Sequence, residues 1–153
     1  MARGGDWTVR LVEWAEARLG KSFAWGQVDC VILCLEVYDL LAGSAGSAEV
    51  DGSAVAEAWR GRYASELEGV KLARDENTDL RACLEALGCT AVRPGYQQRG
   101  DLILVPNGLY WCGHVCFGTL SLSVRPESVG EWFYTAAIIA ATEHGEAVIL
   151  RVP

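Results

Sequence analysis

The run from Val31 to Leu41 constrains the fold more than any other stretch of this chain. Val31, Ile32, Leu33, Leu35, Val37 and Leu40 make it apolar nearly all round. A helix of that kind has to lie at the centre of a core, so the pattern predicts a central helix from about Cys30 to Leu41. Just ahead of it stands Phe23-Ala24-Trp25-Gly26-Gln27-Val28-Asp29-Cys30, which reads as an aromatic-glycine turn. The turn delivers Asp29 and Cys30 to the first turn of the helix. A thiol there meets the positive end of the helix dipole, which favours thiolate and predicts a depressed pKa for Cys30. The bland reading is a small buried cysteine, since free thiols are commonly buried and inert.

The flanking sequence supplies the rest of the architecture. Asp6 or Thr8 caps a first helix to about Leu19, with Trp7, Leu11, Trp14 and Ala15 on one face and Gly20 as its stop. Gly43 to Ser47 is a small-residue break expected to be a mobile surface loop. Ser53 to Trp59 reads as a short helix with Gly61-Arg62-Tyr63 as its exit. Leu80, Cys83, Leu84 and Leu87 mark an amphipathic helix from Thr78, closed by Gly88. Beyond it the periodicity changes. Cys89–Val92, Leu102–Val105, Val115–Leu120 and Ala147–Val152 read as strands, with a turn at Pro106-Asn107-Gly108. Ser121–Val124 continues the sheet, and Thr135–Ala141 reads equally as strand or helix. Helices followed by strands predict an α+β fold, an antiparallel sheet packed on the central helix, in one domain over residues 1–153.

Composition excludes several classes of function. The 153 residues carry a net charge of −7 with no Lys/Arg cluster, so the basic footprint of a nucleic-acid binder is missing. No apolar stretch approaches the ~20 residues of a membrane span. Met1 to Asp6 lacks the apolar core of a signal peptide, which predicts synthesis and folding in a bacterial cytoplasm. There the six cysteines are expected to be mostly reduced.

A thiol needs a base, and the chain has two histidines, His114 and His144. His114 lies in Tyr110-Trp111-Cys112-Gly113-His114-Val115-Cys116, at the head of an expected strand. An imidazole fixed by a sheet beside a helix-borne thiol is the Cys–His arrangement of nucleophilic catalysis. Its bland alternative is a hydrogen-bonded structural histidine. His144 sits between Glu143 and Glu146 in an expected exposed turn and is a poor base candidate. A metal site is the rival use of these residues. Cys30 and Cys34 share a helix face, and Cys112, His114 and Cys116 share a strand face. Yet Cys112 and Cys116 stand ~13 Å apart along a strand, too far for zinc–sulfur bonds of about 2.3 Å. No recognisable ligand spacing remains, and no metal or cofactor is expected.

Three motifs carry a resemblance. Trp25-Gly26-x-x-Asp29-Cys30 precedes the apolar helix, Arg99-Gly100-Asp101-Leu102-Ile103-Leu104 follows, and Gly113-His114-Val115 heads a strand. In this order they resemble the NlpC family of papain-fold cysteine peptidases, and more closely a short single-domain branch encoded in bacteriophage tail-gene clusters. The resemblance runs from about Trp7 to Val152. It implies a papain-like NlpC fold with Cys30 as nucleophile and His114 as general base. Trp25, Gly26, Asp29 and Asp101 would support the motifs. It also implies hydrolysis of peptide bonds in peptidoglycan stem peptides during cell-wall penetration, at a virion tail tip, beside tail-tip or hub proteins.

The chain departs from the family at positions that matter for rate. Phe23 stands where the family usually has a tyrosine whose hydroxyl helps at the oxyanion, and Val31 replaces a small serine after the nucleophile. No His, Asn or Gln follows His114 on the next strand; Ser123 is the nearest substitute for the third residue, with Glu127 beyond it. Loss of an oxyanion donor costs ~100-fold in turnover or more. Two readings follow: a virion-associated peptidase, or a structural tail-tip subunit with the peptidase fold. A host-side amidase or toxin-like peptidase is a third.

Overall fold

The computed structural model describes residues 5–43, 55–140 and 147–153. At its centre is the apolar helix, α2 (Cys30–Gly43), which follows α1 (Trp7–Arg18). Ile32, Leu33, Cys34, Leu35, Val37 and Leu41 of α2 are each at most 1% exposed. Burying side chains of this size contributes about 1.5–3 kcal/mol apiece, which explains why the run sits in the middle. Glu36 is a polar exception that links α1, α2 and the residue after α3. It takes two bonds from Arg18 of α1, at 2.9 and 2.6 Å, and one of 3.0 Å from Arg60 just after α3 (Val55–Trp59). Burial alone would raise its carboxyl pKa, but the two guanidinium groups reverse this and leave it lowered.

Two more helices, α4 (Glu66–Asp75) and α5 (Leu80–Ala86), precede the sheet. Ser65 caps α4 by accepting from the Glu68 N–H, and Asp79 caps α5 by accepting from the Ala82 N–H. The strands are β1 (Thr90–Val92), β2 (Leu102–Asn107), β3 (Tyr110–Cys116), β4 (Leu120–Val124), β5 (Gly130–Tyr134) and β6 (Val148–Arg151), with α6 (Thr135–Ala140) before the last. They form one antiparallel sheet in the order β1-β6-β2-β3-β4-β5, so the fold is α+β. One sheet face packs on α2 through Leu102, Leu104, Val115 and Leu150; the other gathers Ile103, Cys116 and Ile149 against Ile138 of α6. Gly113 lets helix and strand approach closely, because a Cβ there would overlap the Cys34 sulfur and lie 2.8 Å from the Cys30 carbonyl oxygen.

Several boundaries differ from the sequence expectation. The strand expected over Val115–Leu120 is broken: β3 ends at Cys116 and the chain turns at Gly118, whose φ of +104° suits glycine. The hairpin between β2 and β3 turns at Gly108 and Leu109 rather than at Pro106, which stays within β2 and pairs with Trp111. Pro106 lies beyond the residues of β2 paired with β6, where a strand tolerates proline. Thr135–Ala140 is helical, and α4 and β5 were not anticipated. The expected loop after Gly43, the start of the Ser53 helix and His144 fall on residues outside those described.

Candidate functional site

The Trp25–Cys30 motif builds a capped turn. Ala24 and Val28 exchange backbone hydrogen bonds of 2.8 Å, closing the turn. Gly26 has φ +75°, and a Cβ on it would run into the Tyr63 carbonyl oxygen. Its N–H donates to Asp29 Oδ2 at 2.7 Å, and the Tyr63 hydroxyl donates to the same oxygen at 2.6 Å. Asp29 Oδ1 accepts from the Ile32 N–H at 2.8 Å, the bond of an N-cap residue to the third helical residue. Asp29 is therefore the cap of α2, and Cys30 is its first residue. Trp25 packs edge-on against Phe23 and Tyr110, with centroids 4.8 and 5.9 Å apart. These residues line the start of the helix for a structural reason, whatever chemistry the thiol performs.

Cys30 does not have the depressed pKa that its position suggested. The neighbouring Cys112 thiol, and then burial at 3% exposure, pushes it well up; the nearby Gly113 backbone opposes this only in part. Burial penalises the thiolate, and a second thiol alongside gives it no compensating charge, so the dipole is outweighed. Cys112 moves the other way: the neighbouring Cys30, together with the charge of Arg125 and the Ser123 side chain, lowers it against the effect of burial. The Cys30 sulfur also stands 4.0 Å from the Trp111 carbonyl oxygen.

His114 is not joined to Cys30. It is 2% exposed, and neither ring nitrogen has a hydrogen-bond partner among the described residues. Gly113 and Val115 meet α2, whereas His114 belongs to the alternate set with Cys116, which packs in the cluster on the far face. The ring lies edge-on to Phe133 at 5.9 Å. Burial, and then the charge of Arg125, lowers the imidazole pKa to about 4; the backbone of Ile103 and Cys112 pulls it back slightly without reaching hydrogen-bond geometry. The base is thus neutral at pH 7.

Ser123, the candidate third residue, donates instead to the Gly113 carbonyl oxygen at 2.7 Å. Asp101, fully buried, accepts from Arg151 at 3.0 and 2.8 Å and from the Gln98 N–H at 2.7 Å, so it anchors the entry to β2 against β6. The structure therefore brings Trp25, Gly26, Asp29 and Cys30 together at the start of α2, and among the described residues no hydrogen bond joins them to His114, Ser123 or Asp101.

Beside Cys30 lies a cleft of about 90 Å³ between α2, α4, α5 and the β2–β3 hairpin. Trp25, Trp59, Tyr63, Tyr110 and Trp111 give it aromatic walls, with Asp29, Glu66 and Asp79 among its few polar residues. Burial pushes the Tyr110 phenol up to about 12. Asp79 accepts from the Trp111 indole N–H at 3.3 Å, linking α5 to the hairpin. His114 and Ser123 are not among the lining residues. Sequence reasoning missed Tyr63 and Cys112 as neighbours of Cys30; the only signal for Cys112 was its place on the same strand as His114. Among the described residues no group of three or more His, Cys, Asp or Glu is gathered to hold a metal, and no helix is long and apolar enough to cross a membrane.

Fold and site together define an α+β domain that presents a capped helix-start thiol to an aromatic cleft. Over residues 2–141 the chain matches the family described as "Domain of unknown function (DUF6950)", and it belongs to that family. No curated protein and no solved structure matches it.

Proposed function

We propose that this chain is an NlpC-type, papain-like domain serving as a structural subunit of a bacteriophage tail tip. It is made in the host cytoplasm and works by docking to hub proteins rather than by hydrolysis. The three motifs and their order support the family reading, and a helix-start cysteine packed on an antiparallel sheet suits it. One observation carries the choice of a non-hydrolytic role: the buried His114 has no hydrogen bond to Cys30 or to any other described residue.

The chemistry of the alternative makes the point sharper. Hydrolysis requires the Cys30 thiolate to attack a carbonyl and His114 to protonate the leaving amine, then to activate water. Here the thiol is pushed up and the imidazole down to about 4, so both rest neutral and proton transfer between them runs uphill. A peptidase reading retains one favourable feature, the cleft beside Cys30 at the start of α2, where backbone N–H groups would face an oxyanion. In that reading a peptidoglycan stem peptide occupies the cleft, and β3 must shift to present His114.

Purified peptidoglycan sacculi separate the two. With the wild-type protein, no release of stem-peptide fragments above that of Cys30→Ala is expected by mass spectrometry. A phage carrying Cys30→Ala is expected to assemble tails and infect normally. Fragment release that disappears in both Cys30→Ala and His114→Ala would overturn the structural reading in favour of the peptidase.

A further inference from the structure

We infer that the aromatic cleft beside Cys30 binds a single arginine side chain supplied by a partner protein. Its walls suit a flat cation. Trp25, Trp59, Tyr110 and Trp111 line it, and each is only half-buried, so their ring surfaces are not consumed by the core. Rings of this kind attract a cation through their electron-rich faces. At about 90 Å³ the cleft is well below the ~300 Å³ at which sites for drug-sized ligands begin. It therefore takes one side chain rather than a stretch of peptide.

The charge of the cleft selects the sign of its occupant. The lining holds the carboxylates of Asp29, Glu66 and Asp79 and no lysine or arginine, in a chain of net charge −7. Asp29 is buried and spends its oxygens on the cap of α2. Asp79 is exposed and held in place: it accepts from the Ala82 N–H at 2.8 Å and from the Trp111 indole N–H at 3.3 Å. Each of its oxygens keeps a lone pair for a further donor. Glu66 is exposed, and among the described residues no hydrogen bond or ion pair engages its carboxylate.

Arginine is favoured over lysine because a planar guanidinium stacks on a ring while its N–H groups bond a carboxylate. The molecule already uses this chemistry on two of the same tryptophans. Arg62 lies over Trp59 at 5.2 Å and pairs with Glu76; Arg81 lies over Trp111 at 5.8 Å and pairs with Glu85. Neither arginine lines the cleft, so the part of each indole that faces it is left to a third guanidinium.

The source of the arginine, a docked protein, rests on the role proposed above; the site itself is read on the isolated chain. The test is a heteronuclear NMR titration of the wild-type protein with N-acetyl-arginine-N-methylamide, following the six tryptophan indole N–H signals. Saturable shifts are expected at Trp25, Trp59 and Trp111, and none at Trp7, Trp14 and Trp132, which lie outside the cleft. The citrulline counterpart, which keeps the shape and lacks the charge, is expected to bind at least about tenfold more weakly. Glu66→Gln, at an exposed carboxylate, is expected to weaken the arginine probe about threefold. Equal binding of the two probes, shifts that do not saturate, or equal shifts at all six indoles would overturn the inference. If the probe fails while sacculi stay intact, only this inference falls. If sacculi are cleaved while the probe binds, the docking role falls and the arginine site stands.

Discussion

Asp29 and His114 are almost equally buried, at 1% and 2% exposure, yet Asp29 gathers three side-chain hydrogen bonds while neither nitrogen of His114 has a described partner. The two residues belong to the first and third of the three sequence motifs. Around Asp29 the motif is over-determined: Gly26, Tyr63 and Ile32 all converge on one carboxylate. Around His114 the ring is packed as though it were an apolar side chain, against Phe133. The contrast teaches that a motif with a catalytic look can have a folding role of its own. Trp25-Gly26-x-x-Asp29-Cys30 caps the central helix, and that function asks nothing of the histidine.

The strongest way to break this contrast is at Gly26. In Gly26→Ala the methyl group meets the Tyr63 carbonyl at a positive φ, and a loss of about 4 kcal/mol is expected from strain and overlap together. Urea unfolding measures it; a loss below about 1 kcal/mol would mean that the turn yields and is not the rigid half of the pair.

His114 provides the next largest effect through pH. Its folded pKa of about 4 lies below the unfolded value, so the unfolded chain takes up the proton first. This contribution to stability is complete above about pH 6.5 and is lost as pH falls towards 4, by about 3 kcal/mol in all. Denaturation curves of wild type and His114→Phe across that range are expected to diverge by this amount. At neutral pH the phenylalanine variant is expected to be about 1 kcal/mol more stable, because it removes two buried unpaired nitrogens.

Tyr63→Phe sharpens the comparison from the satisfied side. It removes one of the three bonds to Asp29 and is expected to cost about 2 kcal/mol, the range for a hydrogen bond to a charged group. A smaller expected effect concerns the thiol itself. Iodoacetamide should label Cys30 at least about tenfold more slowly in the folded protein than in urea, since burial and the neighbouring Cys112 both hold its proton.

Much of the scaffold was legible because burial writes itself into sequence. The all-round apolar character of Val31–Leu41 marked α2, and the short continuous apolar runs at Leu102–Val105 and Ala147–Leu150 marked β2 and β6. The elements that escaped notice lack that signature. None of the residues of α4 is buried, so no apolar stripe announced it, although Ser65 followed by Glu68 is the signal of a helix start. In β5, Trp132 and Tyr134 point outwards and hide the alternation. The candidate site was only half legible for a different reason. A spacing motif locates Cys30 on its helix and His114 on its strand, but it does not report which face of the strand carries the ring. A shift of one residue along β3 exchanges the faces, and Gly113 rather than His114 meets the helix. Tyr63 was invisible as a partner of Asp29, since it is 34 residues away and arrives through the tertiary fold.

The most direct test of the central claim, that Cys30 and His114 do not act as a dyad, is an NMR titration of the His114 imidazole, assigned with His114→Gln and repeated in Cys30→Ala. The expected result is a pKa near 4 in wild type, unchanged when the thiol is removed. A value above neutrality that falls when Cys30 is removed would reveal a thiolate–imidazolium pair and contradict the account.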